Sequence, residues 1–364
     1  MSALSDLAAE LVAIDSVNPD LVAGGAGERQ IARFVADWLR DAGLDVQTDE
    51  IVPGRFNVVG VAHGSGGGRS LLLNAHMDTV GVAGMEAPFE PRVEDGRLYG
   101  RGAYDMKASL AAIMVAGARV AELGVRGDVL VTAVADEEVA SIGAEAVARS
   151  VHADGAIVAE PTELRVAVAH KGFVWFELET RGHAAHGSRA DLGIDAIARM
   201  GPVLTRLGEL ADSLADSDEH PLLGHGSVHG SLIEGGVELS TYPDRCLLKG
   251  ERRTLPGESR ETVETEVARL LGDVDGATRV TFERVPFEAD PESRLVAAVR
   301  RHAGDAVVGV PFWADSAVFA AAGISTVLLG PAGEGAHAAV EWVDLASAER
   351  CAEIYFAVAA DFCS

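Results

Sequence analysis

Leu71-Leu72-Leu73-Asn74-Ala75-His76-Met77-Asp78-Thr79-Val80 runs three leucines straight into a histidine and an aspartate two residues apart. A continuous apolar run of this kind suits a strand buried on both faces of a parallel sheet. In open α/β sheets, ligands and chemistry collect just beyond the carboxyl ends of the strands. A histidine placed there, with a carboxylate near enough to orient its ring, is a common way to hold a transition metal. By itself the stretch also reads as a strand entering a polar turn, and the rest of the chain decides between the two.

At 364 residues the chain exceeds a comfortable single core, so two domains are expected. Hydrophobic residues make up 48% and charged residues 24%, the composition of an ordinary globular protein. The net charge of -26 argues against nucleic acid and against anionic membrane surfaces, both of which attract basic patches. No stretch approaches the roughly 18 continuous apolar residues of a membrane span. The N-terminus has neither a basic region nor a long apolar core, so no export signal is expected. Cys246, Cys351 and Cys363 form no C-x-x-C pair. Reduced thiols in a cytosol fit them best.

Along the chain, Ser5–Val12 and 27–42 read as amphipathic helices, the second ended by Gly43. Short strands are expected over 45–51 and 56–62. The glycine-rich stretch 63–68 is expected to be a flexible hairpin connection. A hairpin over 94–99 leads to Asp105 and a buried alanine-rich helix, 106–123. Apolar strands over 128–134 and 156–159 end in Asp136-Glu137-Glu138 and Glu160-Pro161-Thr162. Three apolar strands, each ending in carboxylate or histidine, give the alternating β/α pattern of a parallel sheet with one loaded edge.

From about Val174 the pattern changes to strand 174–180, helix 195–214, strands 227–233 and 246–251, helix 258–271 and strand 279–283. This β-α-β-β-α-β order is a ferredoxin-like α+β unit. The expected fold is therefore α/β: a mixed, mostly parallel sheet flanked by helices, residues 1–173 and 286–364, with an inserted unit over 174–285. Helices over 295–303, 315–322 and 346–362 and a strand over 326–329 complete the first domain. The acidic run 212–219 reads as solvated surface.

The strand-end residues assemble one set: His76, Asp105, Glu137, Glu138, Glu160 and His337. Histidines and carboxylates without cysteine suit zinc, cobalt or manganese in a hydrolytic site. One metal with three protein ligands leaves carboxylates over. Two metals about 3.5–4 Å apart, sharing a bridging carboxylate, use them all.

These motifs resemble the family that contains acetylornithine deacetylase, succinyl-diaminopimelate desuccinylase, aminoacylase and glutamate carboxypeptidase, which are di-zinc amidohydrolases. The resemblance rests on 74–80, Gly100-Arg101-Gly102-Ala103-Tyr104-Asp105-Met106-Lys107, 136–138, 160–162, and His337 followed by Glu341. The loop ending in His186 and the segment 253–257 match as well, so it covers nearly the whole chain in order. It implies a zinc-peptidase-like catalytic domain and an inserted dimerisation domain. It implies that His76 and Glu160 bind one metal, Glu138 and His337 the other, and that Asp105 bridges them. Asp78 would accept the proton on the second nitrogen of His76 and fix its tautomer. The peptide after Asp105 would be cis. Glu137 would be the general base for a hydroxide bridging the metals, its alternatives being a third ligand or a surface acid. His186 would stabilise the oxyanion across a homodimer, with His183 the competing candidate in that loop. Arg253 is the choice for gripping a substrate carboxylate, with Arg252 beside it.

Ser240 stands where relatives commonly carry an asparagine, so the substrate tail is expected to be held differently, with Ser240 among its contacts. The expected activity is cleavage of the amide bond of a small N-acyl amino acid by a cytosolic homodimer. It would use two divalent ions, zinc first and cobalt or manganese as alternatives. A dipeptidase or carboxypeptidase on the same scaffold is the first rival, and a non-catalytic metal-binding relative the second.

Overall fold

The computed structural model describes residues 2–364. The chain divides into two compact units: the first comprises the chain up to Val168 with Ala289–Val308 and Ala314–Ser364, the second Ala169–Glu288 with Gly309–Trp313. The sequence boundaries at 173/174 and 285/286 fall a few residues inside the second unit. The reason is packing: the His170 ring lies 5.3 Å from Phe287 and 6.0 Å from Trp313, and Trp313 Nε1 donates to Val285 O at 3.0 Å.

The sheet of the first unit runs in the order Asp45–Val52, Arg55–Ala62, Val129–Val134, Leu71–His76, Gly155–Val158, Ser325–Leu328. The last four are mutually parallel where they adjoin, and the first two add an antiparallel edge. Leu71, Leu72 and Leu73 are fully buried, which is why this central strand is apolar without alternation. Helices Ala3–Val12, Ala108–Leu123 and Leu345–Phe362 pack together in this unit, as do Ile142–Ser150 and Ser316–Ala321. The short helix Ile142–Ser150 and the strand Val166–His170 go beyond the sequence reading; each is too short to develop a distinct period.

The stretch 63–68 is not a hairpin connection. The strands it joins, Arg55–Ala62 and Leu71–His76, are separated by Val129–Val134, which pairs with both. Nor is it loose, because Gly64 N donates to Asp128 Oδ1 at 2.8 Å and Gly66 N to Arg126 O at 2.8 Å. Its glycines permit close backbone crossing. A Cβ on Gly68 would stand 2.2 Å from Cys363 O, and one on the facing Gly127 would stand 1.7 Å from Arg69 O. Gly127→Ala is therefore expected to cost about 1–3 kcal/mol of stability, read as an earlier urea midpoint at constant m-value.

In the second unit the strand order is Ser227–Gly235, Arg245–Thr254, Gly172–Arg181, Gly276–Arg284, all antiparallel. Strand Gly172–Arg181 alternates strictly, placing Val174, Phe176 and Leu178 against helices Ala196–Ala215 and Arg260–Leu271. This is the β-α-β-β-α-β arrangement expected of the insertion.

Candidate metal centre

Strand register places the chemistry. In the parallel ladder His76 pairs with Val134, and Asn74 pairs with both Thr132 and Val158. The residues that follow those strands, Glu137-Glu138 and Glu160, therefore emerge beside His76. The remaining contributors arrive on loops: Asp105 in the turn Ala103–Lys107 and His337 between Gly333–Glu334 and Trp342–Asp344.

His76 is buried, and its Nε2 faces Asp105 Oδ1 at 3.1 Å and Glu160 Oε1 at 4.0 Å. His337 Nε2 lies 3.1 Å from Glu138 Oε2 and 3.5 Å from Asp105 Oδ2. Asp105 thus turns one oxygen to each histidine, and each histidine has its own glutamate. The ligand atoms of His76, Asp105 and Glu138 all lie within 4.8 Å of one another, and so do those of His76, Glu137 and Glu160. Glu137 is close enough to act as ligand or as neighbour.

The expected role of Asp78 needs correction. His76 Nδ1 lies 2.9 Å from the Asp78 backbone carbonyl and 3.7 Å from the carboxylate. The main chain therefore takes the ring proton. The carboxylate is engaged elsewhere, accepting from Asn18 Nδ2 at 2.8 Å, Glu137 N at 3.1 Å and Glu138 N at 3.3 Å. Asp78 fixes the histidine through its main chain and the two glutamates through its side chain.

Glu341 shapes the Asp105 loop. Buried, it accepts from Gly102 N at 3.0 Å, Tyr104 N at 2.9 Å, Asp105 N at 3.0 Å and Arg101 Nη1 at 2.6 Å. Gly102 has a φ of +77°, and a Cβ there would approach Thr79 Cγ2 to 2.7 Å, so only glycine fits. The Asp105–Met106 peptide is cis. Glu341→Gln keeps the shape but removes the charge that three amides and Arg101 share. We expect it to weaken metal affinity about 10–100-fold, the usual scale for groups that orient ligands, measured by competition with a chelating dye.

The electrostatics call for cations. Burial first, then the charge of Glu160, pushes Glu137 well above the usual carboxylate range, with His76 opposing. Burial likewise raises Glu160 and Glu138, and it pushes Asp315 up to about 7. Burial also works against ionised Asp105, but hydrogen bonds to His337 and His76 outweigh it and hold this acid low. Contacts with Asp105 and Glu138 raise His337 to about 10. Glu138 Oε1 is buried with no hydrogen-bond partner among the described residues. Clustered buried acids, an orphaned carboxylate oxygen and nitrogen–oxygen donors without thiolate fit divalent metal ions.

His186, Ser240 and Arg253 belong to the second unit. His186 Nδ1 lies 2.9 Å from Ser188 Oγ, and Gly187 N donates to Ser240 O at 2.7 Å. The rival His183 pairs its main chain with Ile194, as His186 does with Thr241. Arg253 places Nε on Glu251 Oε1 at 2.6 Å and its guanidinium 5.1 Å from the Phe173 ring centre. Its neighbour Arg252 is buried and taken up by Glu258 and Glu266, which removes it as a competitor.

Sequence reasoning missed Asn18, Glu28, Arg55 and Asp315, which surround the strand ends, and gave Asp136 no role. Asp315 carried only a helix start.

Known proteins resemble the chain over nearly its whole length. A bacterial acetylornithine deacetylase from Myxococcus xanthus is 31% identical over 386 aligned residues, spanning 100% of this chain and 98% of that protein. A tripeptidase from Staphylococcus aureus shares the fold with a TM-score of 0.82 at 22% identity, covering 99% of this chain and 98% of that one. So does a Bacillus subtilis protein described as a dinuclear metal binding peptidase, with a TM-score of 0.77 at 15% identity over 99% and 97% of the two chains. Residues 72–361 match the Peptidase family M20/M25/M40 model. With the two-histidine, multi-carboxylate centre at its strand ends, the chain belongs to peptidase family M20/M25/M40 and is a metal-dependent amidohydrolase.

Proposed function

We propose that the enzyme hydrolyses the amide bond of small N-acyl amino acids, with Glu137 as the group that moves the proton. The observation that carries the reading is the split Asp105 carboxylate, one oxygen toward His76 and one toward His337. His76 and Glu160 would hold one divalent ion, Glu138 and His337 the other, and Asp105 both. Zinc is our choice, with cobalt and manganese as alternatives. When bound, such ions polarise a carbonyl and lower the pKa of water toward about 7.

The chain's own residues supply the rest. Glu137 takes a proton from the attacking water and delivers it to the departing amine nitrogen. Burial keeps its proton affinity high, which suits a group that must hold the proton between the two events. Asp78 keeps it in place by binding its backbone amide. We assign oxyanion stabilisation to His186 and the grip on a substrate carboxylate to Arg253. With Arg253 Nε occupied by Glu251, the guanidinium's outer nitrogens remain for that carboxylate. Ser240 is assigned to the substrate tail. The second unit is read as the dimerisation domain of a cytosolic homodimer, in which Cys246, Cys351 and Cys363 are buried free thiols.

Kinetics on paired substrates test the choice of substrate class. An N-acetyl amino acid is expected to exceed a dipeptide with the same C-terminal residue by about tenfold or more in kcat/KM. The reverse order would establish the dipeptidase alternative.

A further inference from the structure

Asp136, between the strand Val129–Val134 and the Glu137-Glu138 pair, has a φ of +69°. A non-glycine residue in this left-handed region persists only where its surroundings determine it. The Asp136 carbonyl accepts from Ala140 N at 3.1 Å and Ser141 N at 2.5 Å, and two further donors hold its side chain: Asp136 Oδ1 accepts from Asn18 Nδ2 at 3.0 Å and from Arg55 Nη2 at 3.0 Å. The same Asn18 amide nitrogen donates to Asp78 Oδ2 at 2.8 Å, and Asp78 in turn holds the backbone amides of Glu137 and Glu138. One buried amide group therefore clamps the two acids that hold either side of the turn.

The residue type is chosen by charge. An aspartate at position 18 would set a third carboxylate against Asp78 and Asp136. A lysine would bring a full charge where only a short, two-pronged neutral donor fits. Asn18 is itself anchored: its backbone N donates to Thr79 O at 2.9 Å, and its Oδ1 accepts from Asp20 N at 3.0 Å. The cation of the network is Arg55, which is 4% exposed and clamped by fully buried Glu28 through Nε to Oε2 at 2.8 Å and Nη2 to Oε1 at 2.6 Å. Its Nη1 reaches Asp20 at 2.5 Å. Asn18, Glu28 and Arg55 all precede the residues matched by the family model, 72–361.

We propose that Asn18 and Arg55 are positioning residues for Glu137, acting through Asp78 and Asp136 to aim the glutamate's backbone turn. The proposal rests on Glu137 being the proton-transfer group.

A double-mutant cycle on the metal-loaded enzyme tests it. Asn18→Leu, close in shape but without donors, is expected to lower kcat about 10–100-fold with KM within about twofold when assayed with both metal sites saturated. In a Glu137→Gln background the same substitution should cost nothing further, because its effect passes through that side chain. Arg55→Lys keeps the buried cation but not the fork; it is the second variant should Asn18→Leu not fold, with the same pattern expected at smaller size. Unchanged kcat in a folded variant, or a full additive loss on an already crippled Glu137→Gln, overturns the positioning role alone. A Glu137→Gln enzyme working at the native rate overturns the base assignment and this proposal with it.

Discussion

Glu137→Gln is expected to lower kcat by about 10²–10⁴-fold, the usual contribution of a positioned acid–base group, while both metal sites still fill. The amide keeps the size of the side chain and leaves the backbone N–H of Glu137 on Asp78 undisturbed. What it loses is the capacity to take up and release a proton. Substitution also removes an acid that burial and Glu160 hold at high proton affinity, so the variant should fold at least as stably as the parent without metal. Metal analysis beside single-turnover kinetics separates the possibilities. Loss of one metal per chain would identify Glu137 as a ligand, a role its distance to His76 and Glu160 permits.

Removing the metals should abolish activity and lower thermal stability, by an amount that depends on pH. A ligand at about 1,000 times its dissociation constant stabilises the native state by about 4 kcal/mol, so chelation should cost on that order. Asp315, raised to about 7 from 3.8, holds a proton in the native state that the unfolded chain has released. Its contribution is therefore complete below about pH 4 and lost as pH rises through 7. His337, raised to about 10 from 6.5, contributes fully below pH 6.5 and loses that contribution as pH rises toward 10. Asp105, held low, contributes in the opposite sense, but its window lies below pH 4. Between pH 5 and 8 the chelated protein should accordingly lose stability as pH rises. Metal ions compete with those protons, so the gain in Tm on adding zinc should grow over the same interval. A Tm gain that is flat or shrinks with pH, in matched scans with chelator and with metal, would contradict the assignment of His337 to a cation site.

The parts of the site legible in the sequence are those that sit at the ends of regular elements. His76, Glu137, Glu138 and Glu160 follow apolar strands, and parallel strands in register deliver such residues to one edge. Asp105 and His337 lie on loops; their place came from the motifs they share with a family, since no local period marks them. Asp78 was located but given the wrong atom. Spacing says that a carboxylate lies two residues from the ring, and only coordinates distinguish its side chain from its carbonyl.

The sequence by itself determined most of the strand and helix order and the expectation of an inserted ferredoxin-like unit and of a carboxylate–histidine set. The elements and the strand-end residues follow from periodicity and residue chemistry, which are local, whereas Asp105 and His337 entered through motifs shared with a family. Tertiary structure alone decided that 63–68 bridges two non-neighbouring strands, that Glu341 moulds the Asp105 loop, and that Asn18, Arg55 and Glu28 stand behind the Asp136-Glu137 turn. Each of those is a buried hydrogen-bond or backbone contact between residues dozens to hundreds of positions apart. Such partners are set by burial, which leaves few polar groups without one, and burial has no signature in a short window of sequence.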